Sequence, residues 1–251
     1  MKTIIQNKKT YLYIILSSVF LTNAIIAEVI GVKIISLEAV LGIPPLNYMI
    51  MEGLVLNFNL TAGVIIWPIV FVTTDIINEY YGREGVKRTS YLAFILIAYI
   101  FIIIWITTQV PPAEFWAPKN KGFIDIFTQG MNIILGSLSA FLLSQLLDAY
   151  VFHYLKDRTG NKKIWLRSTG STLVSQLADS FVVIIVAFYL LLPAEEKWTW
   201  SQIFSVAVSN YIYKFCIAVM MTPLLYLVHH LIDKYLGIKE SEEMQKIAQS
   251  K

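Results

Sequence analysis

The sequence is poor in charge. Only 15% of its 251 residues are Asp, Glu, Lys or Arg, while 57% are hydrophobic. A soluble domain carries about a quarter charged residues, so this chain cannot clothe a water-facing surface of ordinary polarity. Its single cysteine, Cys216, excludes an internal disulfide and a cysteine-based metal cluster. There is no Gly-rich nucleotide loop, no His-Glu-x-x-His helix and no nucleophile elbow. Paired aspartates inside a membrane could activate water, but no Gly-x-Gly-Asp signature accompanies them here. The expectation is a protein that is not an enzyme and that needs no cofactor and no metal.

What is present is apolar sequence in long blocks, with a mean hydropathy of +0.63. At 1.5 Å per residue, about 20 apolar residues cross roughly 30 Å of hydrocarbon. Six blocks qualify, over about residues 11–35, 61–81, 89–109, 131–155, 171–192 and 203–232. The fold expected is therefore all-α: a polytopic helical bundle of six transmembrane helices surrounded by membrane lipid. A cytoplasmic segment (1–10) would precede the transmembrane domain (11–232), and a cytoplasmic tail (233–251) would follow it. The first block resembles a signal peptide, but it continues past Ala27 into further apolar sequence, so it reads as a retained helix. Residues 36–60, broken by Pro44, Pro45 and Gly53, read as a hairpin, a re-entrant piece or an interfacial segment.

Charge placement orients the bundle. Fifteen Lys and Arg fall at the amino terminus, in the loops around 83–88 and 156–167, and after 233, against three (Lys119, Lys121, Lys197) on the other side. The positive-inside bias puts both termini and the two basic loops in the cytoplasm, and an odd number of spans would scramble it. The same placement accounts for the net charge of +3, so no nucleic acid partner is expected.

Ionisable groups inside spans are costly and mark pathways or sites. Glu28, Asp75, Glu79, Asp148, Asp179 and Lys214 lie within or at the edges of the blocks, with Lys33 near the outer end of the first. Asn23, Asn78, Gln145, Gln176 and Asn210 add amides. "SQLLDAYVF" (144–152) and "SQLADSFVV" (175–183) echo each other at five of nine positions. They place Asp148 and Asp179 at similar depth, with Asp75 near the same level. Glu28, Glu79 and Lys33 stand apart as coupling or gating candidates, and interfacial anchoring serves equally well for Glu79. For Lys214 the options are neutralising an aspartate or meeting a ligand acceptor, and Tyr211 is the aromatic best placed to stack beside it.

"PIVFVTTDIINEYYG", "SQLLDAYVFHYLK", "WLRSTGSTLVSQLADSFVVIIVAF" and "NYIYKFCIAVMMTPLLYLV" together resemble the queuosine precursor transporters, once grouped as putative vitamin uptake transporters. The likeness runs from about Asn23 to Val228. It implies uptake of a small-molecule 7-deazapurine ligand, 7-cyano-7-deazaguanine, 7-aminomethyl-7-deazaguanine or queuine, for tRNA modification, across a bacterial or archaeal inner membrane. The family pattern falls on Asp75, Gln145, Asp148, Ser171, Thr172, Asp179, Asn210 and Lys214, although Asn210 stands where an Asp occurs in a comparable context. A 7-deazaguanine offers a ring N–H and an amine side by side, which one carboxylate accepts through two parallel bonds. Asp148 or Asp179 is the acceptor expected, with Lys214 on the carbonyl or balancing the other carboxylate. Alternating access between three-plus-three halves with proton coupling is the mechanism favoured. A homodimer and an ATP-driven energising complex are the partners to test.

Overall fold

A computed structural model describes residues 8–31, 33–45, 48–51, 54–56, 59–128, 131–159 and 164–249. The basic residues Lys2, Lys162, Lys163 and Lys251 lie outside them. Helix α1 (Lys8–Ile30) leads into a short extended region. There β1 (Ile34–Ser36) is followed by α2 (Leu37–Leu41), β2 (Tyr48–Met51), β3 (Leu54–Leu56) and β4 (Asn59–Thr61). Strands β1 and β4 pair antiparallel, as do β2 and β3, so the inner pair is nested in sequence within the outer one. The pairing matches the hairpin among the three readings of this segment, and it adds two small sheets to a fold expected to be wholly helical.

Helix α3 (Trp67–Gln109) is 43 residues long, but Gly82 inside it has φ 71° and ψ −172°, a region open essentially only to glycine. Contacts with α1 show what Gly82 does. Ahead of it, Gly63 packs on the Ala27 carbonyl, and the rings of Tyr81 and Tyr13 meet at 4.8 Å, so the chain descends α1. Beyond it, Tyr13 reaches the Gly85 carbonyl at 3.0 Å and Ser17 meets Thr89 at 3.2 Å, so the chain climbs again. The two arms, 67–81 and 83–109, are antiparallel. On the second arm Val86, Ser90, Ala93, Ile97 and Phe101 are buried, while Ile95, Tyr99, Ile102 and Ile106 are exposed one helical face away. An apolar face left outside the core is what lipid contact requires.

After α4 (Ala117–Thr128), α5 (Met131–Thr159) and α6 (Ile164–Ile185) form an antiparallel pair. Gly136 lies against Val183 and Ala187, so the small residues of "GSLSA" serve contacts within this chain. A π-helical stretch, Val186–Leu190, ends α6, with Phe188 stacked on Trp198 at 4.0 Å. Helix α7 (Trp200–Met220) opens on a capping box between Thr199 and Gln202. The single sixth block expected over 203–232 is divided, because Pro223 cannot donate to the turn before it; α8 (Thr222–Leu236) begins there.

The segment after 233 carries a further helix, α9 (Ile238–Gln249), in which Ser241, Met244, Gln245 and Ala248 are buried. It lies on the Gly82 turn, where any Cβ would sit 2.8 Å from the Ala248 carbonyl oxygen. Asp233 ties this end together, accepting from Tyr80 Oη (2.9 Å) and the Ser241 hydroxyl and meeting His229 Nδ1 at 3.0 Å. The two ends of the described chain also meet: Lys8 Nζ donates to the Tyr235 carbonyl (3.2 Å) and Lys9 pairs with Glu240 (3.5 Å).

Among the described residues five helices are long and apolar enough to cross a membrane, rather than six: Lys8–Ile30, Trp67–Gln109, Ile134–Thr159, Ile164–Leu190 and Trp200–Met220. The difference arises at Gly82, where two expected spans follow each other without a break in the helical hydrogen bonding although the chain reverses there. The protein is a multi-pass membrane helical bundle.

Candidate functional site

Helical periodicity sets three polar stripes facing one another. Asp75, Asn78 and Glu79 lie on one face of the first α3 arm, Gln145, Asp148 and Lys156 on α5, and Ser168, Thr172 and Ser175 on α6. All nine are at most 6% exposed. Burial of so many polar groups is tolerable only where they bond to one another. The Ser168 hydroxyl donates to Asp75 Oδ2. Asp148 accepts from Ser175 Oγ (3.2 Å) and from Asn78 Nδ2 (3.4 Å), and Thr74 Oγ1 donates to Gln145 Oε1 (3.3 Å).

Two cavities open between these stripes and share Phe71 and Thr172. One is lined by Gln145, Asp148, Ser175 and Gln176 and the other by Asp75, Ser168 and residues at the α7–α8 break, and each has a volume of about 10 Å³. Ligand pockets usually enclose about 300–1,000 Å³, so in this conformation both are closed to anything larger than water. Phe71, stacked on Trp67 at 5.9 Å, presents an aromatic side chain to both cavities. Two buried acceptors, Asp75 Oδ1 and Asn78 Oδ1, have no hydrogen-bond partner among the described residues. An unpaired buried acceptor is costly, and a donor-bearing ligand is one way to satisfy it.

Toward the termini, Glu79 is the centre of an ion cluster. Arg167 donates to both its carboxylate oxygens, Nε to Oε2 at 3.0 Å and Nη2 to Oε1 at 2.6 Å. Lys156 Nζ lies 3.4 Å from Oε2 and donates to the Glu79 carbonyl at 3.1 Å. Glu79 and Lys156 are 0% exposed and Arg167 is 1%. Interfacial anchoring therefore does not describe Glu79, and two cations counted among solvated loop charges are buried structural partners.

Farther from the termini, Lys214 pairs with Asp179, and both Glu28 oxygens accept from Ser137 Oγ at 2.8 and 2.7 Å. Glu28 is within electrostatic reach of both Asp179 and Lys214. The three aspartates expected at one level are thus divided. Ser175 faces Asp148, and Asp179 lies four residues on, about 6 Å along the helix. Asn210 is half-buried on α7, one turn before Lys214, as is Tyr211. Asn23 donates to the Val19 carbonyl of its own helix (2.7 Å), and Lys33 is exposed beside β1, so neither joins the cavities. Tyr150 turns outward onto Arg83 and Phe181 packs on Phe204.

Sequence reasoning missed Phe71, Ser168, Ser175, Lys156 and Arg167 as members of these clusters. A spacing of four from Asp75 would have flagged Phe71, and one of eight from Asp148, two turns on, Lys156; the partners on α6 needed the packing.

The sequence profile of the family described as "Putative vitamin uptake transporter" matches residues 61–228, about two thirds of the chain and every stripe of the cavity. The chain belongs to this family. It is 32% identical over 179 residues to the "Probable queuosine precursor transporter" of Bacillus subtilis (strain 168), covering 70% of this chain and 75% of that protein. It is 26% identical over 195 residues to the "Queuosine precursor transporter" of Escherichia coli (strain K12), covering 74% and 80%. The "Probable queuosine precursor transporter" of Haemophilus influenzae is 24% identical over 168 residues, covering 66% of each chain. No solved structure matches the chain. Membership makes the chain a vitamin-uptake-type transporter rather than an enzyme, and no group of three or more His, Cys, Asp or Glu that could hold a metal occurs among the described residues.

Proposed function

We propose that this member of the vitamin uptake transporter family carries queuosine precursors, 7-deazaguanine bases, across the cytoplasmic membrane by alternating access. The relatives' names point to the cargo. The observation that carries the site is the buried Asp75 Oδ1, which has no hydrogen-bond partner among the described residues and borders a cavity bounded by Phe71. The adjacent ring N–H and exocyclic amine of a guanine edge supply two donors to one carboxylate. Asp75 takes that edge and Asp148 supports it through Asn78; the amides of Gln145 and Gln176 serve the carbonyl. Lys214 pairs with Asp179 outside this pocket, and with Glu28 they form the group proposed for proton coupling.

Six crossings with both termini cytoplasmic fit this reading. The contacts of Lys8 with Tyr235 and of Lys9 with Glu240 bring these two segments to one face, which supports an even number of crossings between them. Counting the arms of α3 separately turns five long helices into six.

Titration of 7-aminomethyl-7-deazaguanine into the purified chain, followed by uptake into liposomes containing that chain alone, tests the proposal. Saturable binding lost in Asp75→Asn, and accumulation driven by an imposed pH gradient, are expected. Absence of binding to any 7-deazaguanine overturns the cargo. Accumulation that needs an added ATP-hydrolysing partner overturns proton coupling.

A further inference from the structure

The polar contacts between α3 and α6 form two successive rungs. Asp75 and Glu79 are one turn apart on α3, and their partners Ser168 and Arg167 are consecutive on α6. The first rung borders the cavity. The second lies between the cavity and the face bearing the Gly82 turn, α9 and both chain ends. Lys156 adds a third helix, so one carboxylate draws α3, α5 and α6 together with almost no exposure.

A ligand released toward that face must pass where these helices touch. A buried ion cluster suits a closure there because it is two-state: paired, it compensates its own desolvation, and separated without water it does not. The cavity's other border is the α7–α8 break, where Thr169 and Thr222 hydroxyls lie 3.4 Å apart. That contact is a single weak bond, whereas the Glu79 cluster has three ionic contacts.

We propose that Glu79, Arg167 and Lys156 are the inner gate of the transport path, and that ligand binding at Asp75 unlocks it by competing for the Ser168 rung. The inference rests on Asp75 as the ligand acceptor. A donor edge that occupies the Asp75 carboxylate loosens Ser168 and, through the neighbouring residue, the seat of Arg167. Water then enters between α3 and α6, and the separated charges become hydrated as the path opens. Arg167 and Lys156 are positioning residues: they hold the closed state and need not touch the ligand.

The test uses the full chain with Cys216→Ala and a reporter, Thr169→Cys, at the cavity wall. A membrane-impermeant maleimide is applied from the face bearing the chain ends. The parent should label slowly, and Glu79→Gln at least tenfold faster. The exchanged pair, Glu79→Arg with Arg167→Glu, made together with Lys156→Met so that no lysine faces the new arginine, should return to slow labelling, because it restores attraction between α3 and α6. A saturating 7-deazaguanine should speed labelling of the parent severalfold and leave an Asp75→Asn background unchanged. Equal rates in the parent and Glu79→Gln would overturn the gate, as would fast labelling of the exchanged pair. Lys156→Met, which keeps the Arg167 bonds, supplies a milder variant should Glu79→Gln not fold; labelling at the parent rate there would exclude Lys156 from the gate. Separate titration of the ligand distinguishes the readings: no binding refutes the cargo assignment, while the ligand-free labelling rates still judge the gate.

Discussion

Two ion-paired regions of this bundle use the same chemistry at different burial. Near the termini, Glu79 holds Arg167 and Lys156 with exposures of 0–1%, whereas Asp179 and Lys214, farther along α6 and α7, are each 18% exposed. Removing one partner of a fully buried pair strands a charge that nothing solvates, while a pair with some access to water loses less. The Glu79 region therefore reads as a lock whose failure is structural, and the Asp179–Lys214 pair as one that can change partners at lower cost. The local sequences do not distinguish them.

The largest effect expected is at the lock. Arg167→Met leaves Glu79 with Lys156 alone and should cost about 3–5 kcal/mol of stability, measured by thermal unfolding in detergent. A loss no greater than that of Lys214→Met would break the comparison between the regions. Gly82→Ala comes next: the residue has φ 71° and lies under Ala248, so strain and the contact together should cost about 2–3 kcal/mol and detach α9, readable by proteolysis after residue 233. A near-neutral result would mean that the reversal of α3 does not depend on glycine.

For ligand affinity, Asp75→Asn should weaken 7-deazaguanine binding by about 2 kcal/mol, or roughly thirtyfold, with Asp179→Asn binding within threefold of the parent. The reverse pattern would move the site to the Lys214 end. The smallest stability effect is assigned to Lys214→Met, about 1–2 kcal/mol; its uptake should fall much more than its binding. Unchanged uptake with unchanged binding would remove the outer pair from the transport cycle.

Some of this was legible in the residues. The polytopic bundle follows from long apolar blocks, and the intramembrane Asp75, Asp148 and Gln145 stood out because such groups are expensive in lipid. The family resemblance, carried by four motifs, was met by the profile match over 61–228. Other readings failed for identifiable reasons. The "SQLxD" echo aligned Asp148 with Asp179, but antiparallel packing puts Ser175 opposite Asp148 and turns Asp179 to α7. Glu79 looked interfacial because Tyr80, Tyr81 and Gly82 follow it, a pattern that cannot foretell α9 folding over the turn.

The sequence by itself determined that the chain crosses a membrane repeatedly and that its interior holds carboxylates and amides, because hydropathy and the cost of buried charge are properties of residues and their spacing. Which carboxylate meets which cation was decided only by the tertiary structure. Arg167 and Lys156 belong to basic loops by composition and to a buried cluster by packing, since a long side chain at a helix end can reach inward or outward with equal local preference. Helix rotation and crossing, set by the whole core, made that choice and left Asp75 Oδ1 beside the cavity without a partner among the described residues.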